Sequence, residues 1–344
     1  MRRKKYYGRR RQVGRRKKSP ETIFWIITLT ILMLGGGAII AQSGLIKAAF
    51  EQVPVDENQV LPTEVQIEEE PEKPVWEAKI PVTHTNILLL GLDNQGMCDT
   101  VMVISYNMET FDSAIISIQR DTYISEQTWG HDDSGQNHLA WANQQGMGQE
   151  RDYHAGAMLT AKTVEELLGI ELHAYASITF EGFVELIDLI GGVVVDVAPE
   201  FTIRQGTTLP SGRQRLNGEQ ALIYARHRQN PRIPEPGSDS QHGDRIRRNQ
   251  KLLKAILEQC KTLESNELII IADQLDDRLY TTLEDWDILE LANVLYNRDL
   301  QAIKSVILPG EGKSVYEEQI NTDIYYFFLD FEKTDLILGE LGLK

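Results

Sequence analysis

The chain has 344 residues, of which 42% are hydrophobic and 25% are charged. This length and composition allow one large or two small domains, each with a hydrophobic core of its own. Two cysteines, Cys98 and Cys260, are too few for a disulfide scaffold and lack the spacing of a metal site, so they form one disulfide bond or none.

The net charge of −16 is unevenly distributed along the chain. Residues 1–18 contain eleven Lys or Arg and no acidic residue, so the rest carries 24 basic and 51 acidic side chains and a net charge of −27. A basic arm can bind nucleic acid. It can also orient a membrane segment and attract anionic lipid headgroups, at about 1 kcal/mol per basic residue. The segment that follows favours this second role, so we expect membrane lipids and no nucleic acid as partners.

An uncharged segment of nineteen residues, 23–41, follows the arm. A helix needs about 20 apolar residues to cross the hydrocarbon core of a bilayer, and basic residues stay on the cytoplasmic side. We therefore predict a cytoplasmic arm at 1–22 and a transmembrane anchor at 23–45. A cleaved signal peptide is the alternative, but it usually has a shorter apolar region of about 7–15 residues, and Ile39-Ile40-Ala41 is a poor cleavage site.

Residues 51–81 contain nine acidic residues and five prolines. Like charges repel, proline stiffens the backbone, and little apolar surface is left to bury, so this stretch should be extended. We predict an acidic, proline-rich stalk at 46–82 that carries one extracytoplasmic domain at 83–344. The protein is thus expected in the cell membrane, as a single-pass protein with a cytoplasmic N-terminus.

The predicted domain begins with three strand-like runs at 85–93, 100–107 and 113–119. Their nearly continuous apolar character is typical of a sheet covered on both faces. Further patterns predict the following elements: helices at 163–169, 179–192, 217–225, 244–262 and 284–297, and strands at 192–197 and 302–310. Thr163 and Glu166 have the spacing of a capping box, Gly169 has the position of a C-cap, and Asp244 can cap the fourth helix. The alternation predicts an α/β fold with a mixed central β-sheet sandwiched by helices, preceded by the transmembrane helix.

Charged residues follow or precede many of these apolar elements. They are Asp93, Asp99, Arg120, Asp121, Arg226, Arg228, Arg245 and Arg248, with Asn249 directly after the last. Arg226 and Arg228 would point to one side of an extended chain, whereas Arg245, Arg248 and Asn249 would share one face of a helix whose N-terminus favours anions.

This set of residue types indicates a pyrophosphate site with a divalent metal. Arginine binds two phosphate oxygens through its planar guanidinium, and Mg²⁺ is usually held by one or two carboxylates together with substrate phosphates. For any one of these residues, a turn, a helix cap or a solvated face is the simpler interpretation. The sequence contains no nucleotide P-loop and no Gly-x-Ser-x-Gly motif.

Seven phrases lie in a fixed order between about residues 85 and 310: NILLLGLD, CDTVMVIS, AIISIQRDT, NHLAWANQQG, the run from TVEELLG to GGVVVDV, LNGEQALIYARHR and DRIRRNQ. In this order they resemble the LytR-CpsA-Psr family of bacterial cell-envelope proteins. The predicted topology of basic arm, single anchor and outward domain is similar to that family as well.

The resemblance implies an enzyme that transfers a glycopolymer phosphate from a polyprenyl-(pyro)phosphate carrier to a sugar hydroxyl of peptidoglycan, with Mg²⁺ (or Mn²⁺) as cofactor. It implies metal-binding roles for Asp93 and Asp99, and catalytic roles for Asp99, Arg120 and Asp121. Asp121 either orients Arg120 or acts as a base, and the first role is favoured. The residues implied to contact phosphate are Arg120, Arg226, Arg228 and Arg245, with Asn249 beside them.

The chain also departs from the family pattern. Met97-Cys98-Asp99 stands where the family commonly has Arg-Ser-Asp, Gln119 replaces a proline, Asn249 replaces a glutamine, and residues 229–243 resemble an insertion. Two alternatives therefore stay open, a non-catalytic polyprenyl-phosphate receptor and a polyprenyl pyrophosphate hydrolase. The polyprenyl chain would need an apolar slot, which the helices at 163–168 and 180–190 could line, although core packing explains the same residues.

Overall fold

A computed structural model of the chain describes residues 84–107, 109–110, 112–131, 137–197, 209–227, 240–275, 277–296 and 299–344. The predicted arm, anchor and stalk lie outside these residues. Within the described ranges, no helix is both long and apolar enough to cross a membrane.

The elements follow one another in a mixed order of strands and helices. They are β1 (His84–Leu92), β2 (Cys98–Asn107), β3 (Ser113–Ile118), α1 (Leu139–Met147), α2 (Tyr153–Leu168), β4 (Ala174–Thr179), α3 (Phe180–Leu189), β5 (Val193–Val197), β6 (Gly212–Leu216), α4 (Gly218–Arg226), α5 (Ser240–Cys260), α6 (Ser265–Gln274), β7 (Leu279–Thr281), α7 (Asp285–Tyr296), β8 (Lys304–Ile307), β9 (Gly310–Glu317), β10 (Thr322–Leu329) and α8 (Phe331–Glu340).

Six strands form one mixed sheet in the order β7-β4-β1-β2-β3-β8. Strand β1 runs antiparallel to β2 and parallel to β4, whereas β3 runs antiparallel to β2 and parallel to β8. The other four strands form two antiparallel ribbons, β5–β6 and β9–β10, outside this sheet. The strand predicted at 192–197 is thus present, but it does not belong to the central sheet.

Helices cover both faces of the central sheet. Alternate side chains of a strand point to opposite faces, so each strand contacts helices on both sides. Leu88 and Leu92 of β1 pack in a buried cluster with Ala157 and Val164 of α2. Leu89 points to the other face, where it lines a cavity together with residues of α3, α4 and α5. The predicted α/β fold with a mixed sheet between helices is therefore confirmed.

Helix α2 begins well before the predicted helix. The Asp152 side chain caps it by accepting hydrogen bonds from the backbone N–H groups of His154 and Ala155. The Thr163–Glu166 capping box was wrong, since Thr163 lies inside the helix and donates its hydroxyl to the carbonyl of Leu159 at 2.8 Å. The first turns of α2 contain small residues such as Gly156, which allow the helix to pack closely against α1. These turns therefore show no pattern of large apolar residues, and the sequence did not predict them as helix. The C-cap at Gly169 is confirmed by its left-handed backbone (φ 63°, ψ 36°).

The observed ends of three other helices can be compared with the predicted ends. Helix α5 begins at Ser240 rather than Asp244, so the predicted cap at Asp244 was wrong and Arg245 lies in the second turn. In α3, Thr179 accepts a hydrogen bond from the N–H of Gly182 and acts as the N-cap. In α4, Asn217 forms a capping box with the third residue of the helix. Helix α4 lies within one residue of its predicted range, and α3 starts one residue after and ends three residues before its predicted bounds.

Candidate active site

The ends of three neighbouring strands bring the predicted acidic and basic residues to one edge of the sheet. Because β1 and β3 both run antiparallel to β2, their carboxyl ends lie beside the amino end of β2. Asp93 follows β1, Asp99 lies at the start of β2, and Arg120 and Asp121 follow β3. The strand register shifts at the end of β1, as it often does where a bulge adjoins an active site.

Hydrogen bonds from several elements fix the backbone that carries Arg120. Thr122 donates its N–H (3.1 Å) and its hydroxyl (2.7 Å) to the carbonyl of Gln119, which is buried. The carbonyl of Arg120 accepts an N–H from the start of α1 at 2.9 Å, and the carbonyl of Asp121 accepts an N–H from β10 at 2.8 Å. A backbone held in this way limits the positions that the two charged side chains can reach.

Asp99 lies between two arginines. Its Oδ1 accepts a hydrogen bond from Nη1 of Arg120, and Nη1 of Arg245 lies 3.7 Å from the same oxygen. Nε of Arg120 lies 3.3 Å from Oδ1 of Asp121, an ion pair without hydrogen-bond geometry. The side chain of Arg245 is only 7% exposed, and those of Asp99 and Arg120 are each 16% exposed. Two guanidinium groups thus face one carboxylate oxygen, and Asp121 lies beside the first of them, so an anionic ligand would compete with these carboxylates for the arginines.

Helix α5 adds a polar group beside this cluster. Asn249 lies one turn after Arg245 and donates its amide to the hydroxyl of Thr100 at 3.1 Å. Its Oδ1 is buried and has no hydrogen-bond partner among the described residues. This oxygen is therefore available to a hydroxyl or a water molecule that a ligand brings to the site.

The other arginines take different positions. Arg226, the last residue of α4, stacks its guanidinium over the ring of Phe180, with 4.4 Å between Cζ and the ring centroid. Arg248 is buried and donates a hydrogen bond to the carbonyl of His227. The predicted partner Arg228 lies outside the described residues, so its orientation relative to Arg226 stays a prediction.

An apolar cavity of about 240 Å³ opens at this cluster, between the sheet and helices α3, α4 and α5. Arg226, Arg245, Asp99 and Asn249 contribute its polar lining. Its apolar walls include Leu89, Met102, Ile178, Phe180, Phe183, Leu186, Leu222, Leu252, Leu253, Ile256 and Leu279. Such a cavity suits a ligand with a hydrocarbon part and a charged end.

The two helices predicted to line an apolar slot lie on different faces of the sheet. Residues 180–190 do contribute to the cavity, through Phe183 and Leu186 of α3. Residues 163–168 do not, because Val164 and Leu168 pack in the core on the opposite face. The sequence reasoning also missed the walls that α4 and α5 supply, although apolar spacing along α5 was a usable signal.

Asp93 and Asp99 were predicted to bind Mg²⁺. Oδ1 of Asp93 accepts the backbone N–H groups of Gln95 and Met97 at 2.9 Å each, so this oxygen stabilises a turn. In the described part of the chain, no three His, Cys, Asp or Glu residues form a group that could hold a metal ion. Two aspartates nevertheless fit Mg²⁺, which commonly takes one or two carboxylates and completes its shell with phosphate and water. The donor set thus fits an ion that binds together with phosphate, and the unpaired oxygen of Asn249 is a further oxygen atom at the cluster.

Cysteine and histidine side chains near the cluster are not suited to nucleophilic roles. Cys98 and Cys260 are both free, and burial raises the pKa of the Cys98 thiol to about 12. Cys98 is fully buried, as expected for a small apolar residue, and its thiol stays protonated at neutral pH. Burial, with a smaller contribution from the nearby Arg248, lowers the pKa of His227, so its imidazole is neutral.

Two contacts of the cluster involve residues that carry no signal in the sequence. Thr100 orients Asn249, and Phe180 supports the guanidinium of Arg226. Both partners are uncharged and lie at ordinary positions of a strand and a helix. Their contacts depend on elements that are distant along the chain, so no local pattern could have identified them.

The chain is similar to several known proteins. The chain is 27% identical over 271 residues to the polyisoprenyl-teichoic acid–peptidoglycan teichoic acid transferase TagU of Oceanobacillus iheyensis, covering 74% of each protein. It is 29% identical over 235 residues to the protein of the same name from Enterococcus faecalis, covering 66% of this chain and 70% of that relative. The solved structure of TagT bound to LIIa-WTA matches with a TM-score of 0.58 and 25% identity, covering 76% of this chain and 90% of that one.

A family model covers most of the sequence. It is the model of the LytR_cpsA_psr family, and it matches residues 56–341, which include every described element. The phrases that resemble this family in the sequence also supply the residues that meet at the sheet edge. The chain therefore belongs to the LytR-CpsA-Psr family.

Proposed function

We propose that this protein is a membrane-anchored phosphotransferase that moves a glycopolymer phosphate from a polyprenyl-(pyro)phosphate carrier to peptidoglycan. One observation carries the proposal: an apolar cavity ends at two partly buried arginines that face a single carboxylate. A polyprenyl phosphate has the same distribution of polarity, with a long hydrocarbon chain and a doubly charged end. The names of the relatives, which are transferases of teichoic acid to peptidoglycan, support the same reaction.

The lipid end of the substrate would occupy the cavity between the sheet and helices α3, α4 and α5. Arg226 lies both in the cavity lining and over the ring of Phe180, which limits its conformations before a ligand binds. Arg120 and Arg245 would contact the phosphate oxygens at the cavity mouth. Each planar guanidinium can bind two oxygens, which orients the phosphate as well as binding it.

Transfer would proceed by attack of the acceptor hydroxyl on the sugar-linked phosphorus. A new P–O bond forms to the acceptor, the bond from the phosphorus to the bridging oxygen breaks, and polyprenyl phosphate leaves with the proton that the acceptor hydroxyl gives up. Positioning and neutralisation of charge supply most of the catalysis in such reactions, and the arginines provide both. Asp121 lies beside Nε of Arg120 at 3.3 Å, which supports the role of orienting that arginine.

Mg²⁺ (or Mn²⁺) would be held by Asp93 and Asp99 and would neutralise further negative charge on the phosphates. The carboxylate of Asp99 pairs with Arg120 and Arg245, so the cation and the arginines share one acidic group. Residues 23–45 would anchor the chain in the cell membrane, with residues 1–22 in the cytoplasm and the domain outside. Such an anchor would tether the domain to the membrane that holds the lipid substrate.

Mass spectrometry of lipids bound to the purified full-length protein tests the proposal, followed by incubation with Mg²⁺ and a peptidoglycan acceptor. The expected result is a bound polyprenyl phosphate lipid and a covalent glycan–peptidoglycan product. A bound lipid without any turnover would instead support the receptor alternative. Release of phosphate without an acceptor would support the hydrolase alternative.

A further inference from the structure

The two faces of the sheet provide separate approaches to the phosphate site. The cavity for the lipid lies on the face covered by α3, α4 and α5. In an in-line displacement, the attacking and leaving oxygens lie on opposite sides of the phosphorus. If the leaving polyprenyl phosphate occupies the cavity, the acceptor would approach the phosphorus from the side that faces away from the cavity.

A cluster of one arginine and two tyrosines lies on the α2 face, next to the turn that follows Asp93. Arg151 donates a hydrogen bond to the carbonyl of Asn94 at 3.3 Å and another to the hydroxyl of Tyr153 at 2.9 Å. Its guanidinium also lies over the Tyr153 ring, 5.8 Å from the centroid. The Tyr153 ring stacks on Tyr280 of β7, with the centroids 4.5 Å apart and the planes 7° apart.

The alternation of β7 places this cluster opposite the cavity. Leu279 lines the cavity, whereas Tyr280, the next residue, contacts Tyr153 at the start of α2. Successive side chains of a strand point to opposite faces. The cluster of Arg151, Tyr153 and Tyr280 therefore lies on the sheet face opposite the cavity, beside the turn that follows Asp93.

The backbone of Arg151 has an unusual conformation for a residue of its type. Its φ of +56° lies in the left-handed region, which only one other non-glycine residue adopts in the described part of the chain. Residues other than Gly, Asn and Asp rarely adopt this backbone conformation. Residues with strained backbones occur preferentially at functional sites. Arg151 is nevertheless exposed, and its contacts orient the guanidinium before any ligand binds.

We propose that Arg151, with the hydroxyl group of Tyr153, binds negatively charged groups of the acceptor glycan strand, while Tyr280 supports the Tyr153 ring. This inference rests on the proposed function, because it assigns the second substrate of the same reaction. The chemistry is that of a carboxylate or phosphate bound by a guanidinium and one phenol hydroxyl, since the Tyr280 hydroxyl donates to the carbonyl of Asp277 at 2.7 Å. Carboxylates of the acceptor and phosphates of the donor polymer would both fit, and the position on the α2 face favours the acceptor.

Packing is the competing explanation, since the stacked tyrosines also join β7 to α2. Replacement of Arg151 by asparagine separates the two roles. Asparagine tolerates the left-handed backbone better than arginine does, so the variant should be at least as stable as the parent. It removes only the exposed guanidinium and leaves both tyrosines in place.

The test measures binding of soluble, fluorescent peptidoglycan fragments to the full-length protein in detergent, without any donor lipid. We expect Arg151→Asn to raise the dissociation constant for the fragments roughly tenfold or more. Arg151→Lys should give an intermediate value, and the melting temperature should not fall in either variant. Arg213→Asn serves as the matched control, because Arg213 is also exposed but lies in the ribbon strand β6.

Three results would overturn the proposal. Fragment binding that is unchanged in Arg151→Asn, or absent in the parent protein, would leave the cluster without an acceptor role. A parallel loss of donor-lipid binding would place Arg151 in the donor site instead. Because binding is measured without turnover, a parent protein that binds fragments but transfers nothing contradicts the transferase proposal, and a weaker Arg151→Asn still supports the acceptor site.

Discussion

Asp99 and Arg120 are 21 residues apart in the sequence and form a direct ion pair at the edge of the central sheet. The same carboxylate oxygen lies 3.7 Å from Nη1 of Arg245, so one acidic group faces two basic groups. A phosphate that enters the site competes with Asp99 for both arginines. This competition links the stability of the site to ligand binding and leads to the first two predictions.

Replacement of Arg120 by alanine should abolish transfer while the domain stays folded. The variant removes a guanidinium from the transferring phosphate, a loss that typically lowers kcat by about 10²–10³. Transfer of the glycopolymer and thermal unfolding should be measured on the same preparation. Lys313→Ala is the control, because Lys313 is an exposed cation paired only with exposed Glu311 in the part of the chain described. Transfer at the parental rate in Arg120→Ala would contradict the proposed site.

Replacement of Asp99 by asparagine should destabilise the ligand-free protein by about 1–3 kcal/mol, since Arg120 and Arg245 both lose the negative charge of Asp99. The same change removes a carboxylate that competes with an anion for both arginines. Inorganic pyrophosphate without Mg²⁺ should therefore raise the melting temperature of Asp99→Asn by more than that of the parent protein. An equal or smaller rise in the variant would show that Asp99 does not compete with phosphate for the arginines.

A bulky residue in the cavity should displace the lipid. Leu222 of α4 lines the cavity and is half-buried, so Leu222→Trp should fill space that the polyprenyl chain needs. We expect lipid to be lost from the purified variant, as measured by mass spectrometry, while pyrophosphate still binds. Ile223→Trp is the matched control on the same helix, because Ile223 is half-buried and does not line the cavity. Full retention of lipid in Leu222→Trp would contradict the assignment of the cavity.

Stability should fall as the pH decreases through about 6.5, the ordinary pKa of histidine. Burial lowers the pKa values of His84, His173 and His227, so these imidazoles stay neutral in the folded state. Below the ordinary pKa, the unfolded state binds protons that the folded state does not, and unfolding is therefore favoured. Stabilisation from the neutral imidazoles is present above pH 6.5 and is lost as the pH falls towards the lowered values.

The free energy of unfolding in urea, measured at pH 7.5 and pH 5.5, tests this dependence. A variant with all three histidines replaced by glutamine should lose less stability between the two pH values than the parent protein. The comparison between parent and variant separates the effect of the histidines on stability from the effect of carboxyl groups such as Glu165. The raised pKa of Glu165 increases the stability of the folded state as the pH falls, which is the opposite effect. An equal loss in both proteins would assign the pH dependence to other groups.

The sequence alone determined the strands of the sheet centre and the residues at their ends. Continuous apolar runs identified β1, β2 and β3 within one or two residues, because a strand buried on both faces needs such a run. The order of the family phrases identified Asp99, Arg120 and Arg245 before any contact was known. Local signals were also sufficient at Gly169, where a left-handed C-cap requires glycine.

Only the tertiary structure decided which residues meet. The hydrogen bond between Asn249 and Thr100 joins positions 149 residues apart, and a local sequence pattern cannot reveal a contact over that separation. Thr163 had the spacing of a helix start but lies inside α2, because the small residues before it pack closely on α1. The two helices expected to line one slot lie on opposite faces of the sheet. Periodicity fixes which side of an element is apolar, whereas the order and direction of the strands fix which element that side meets.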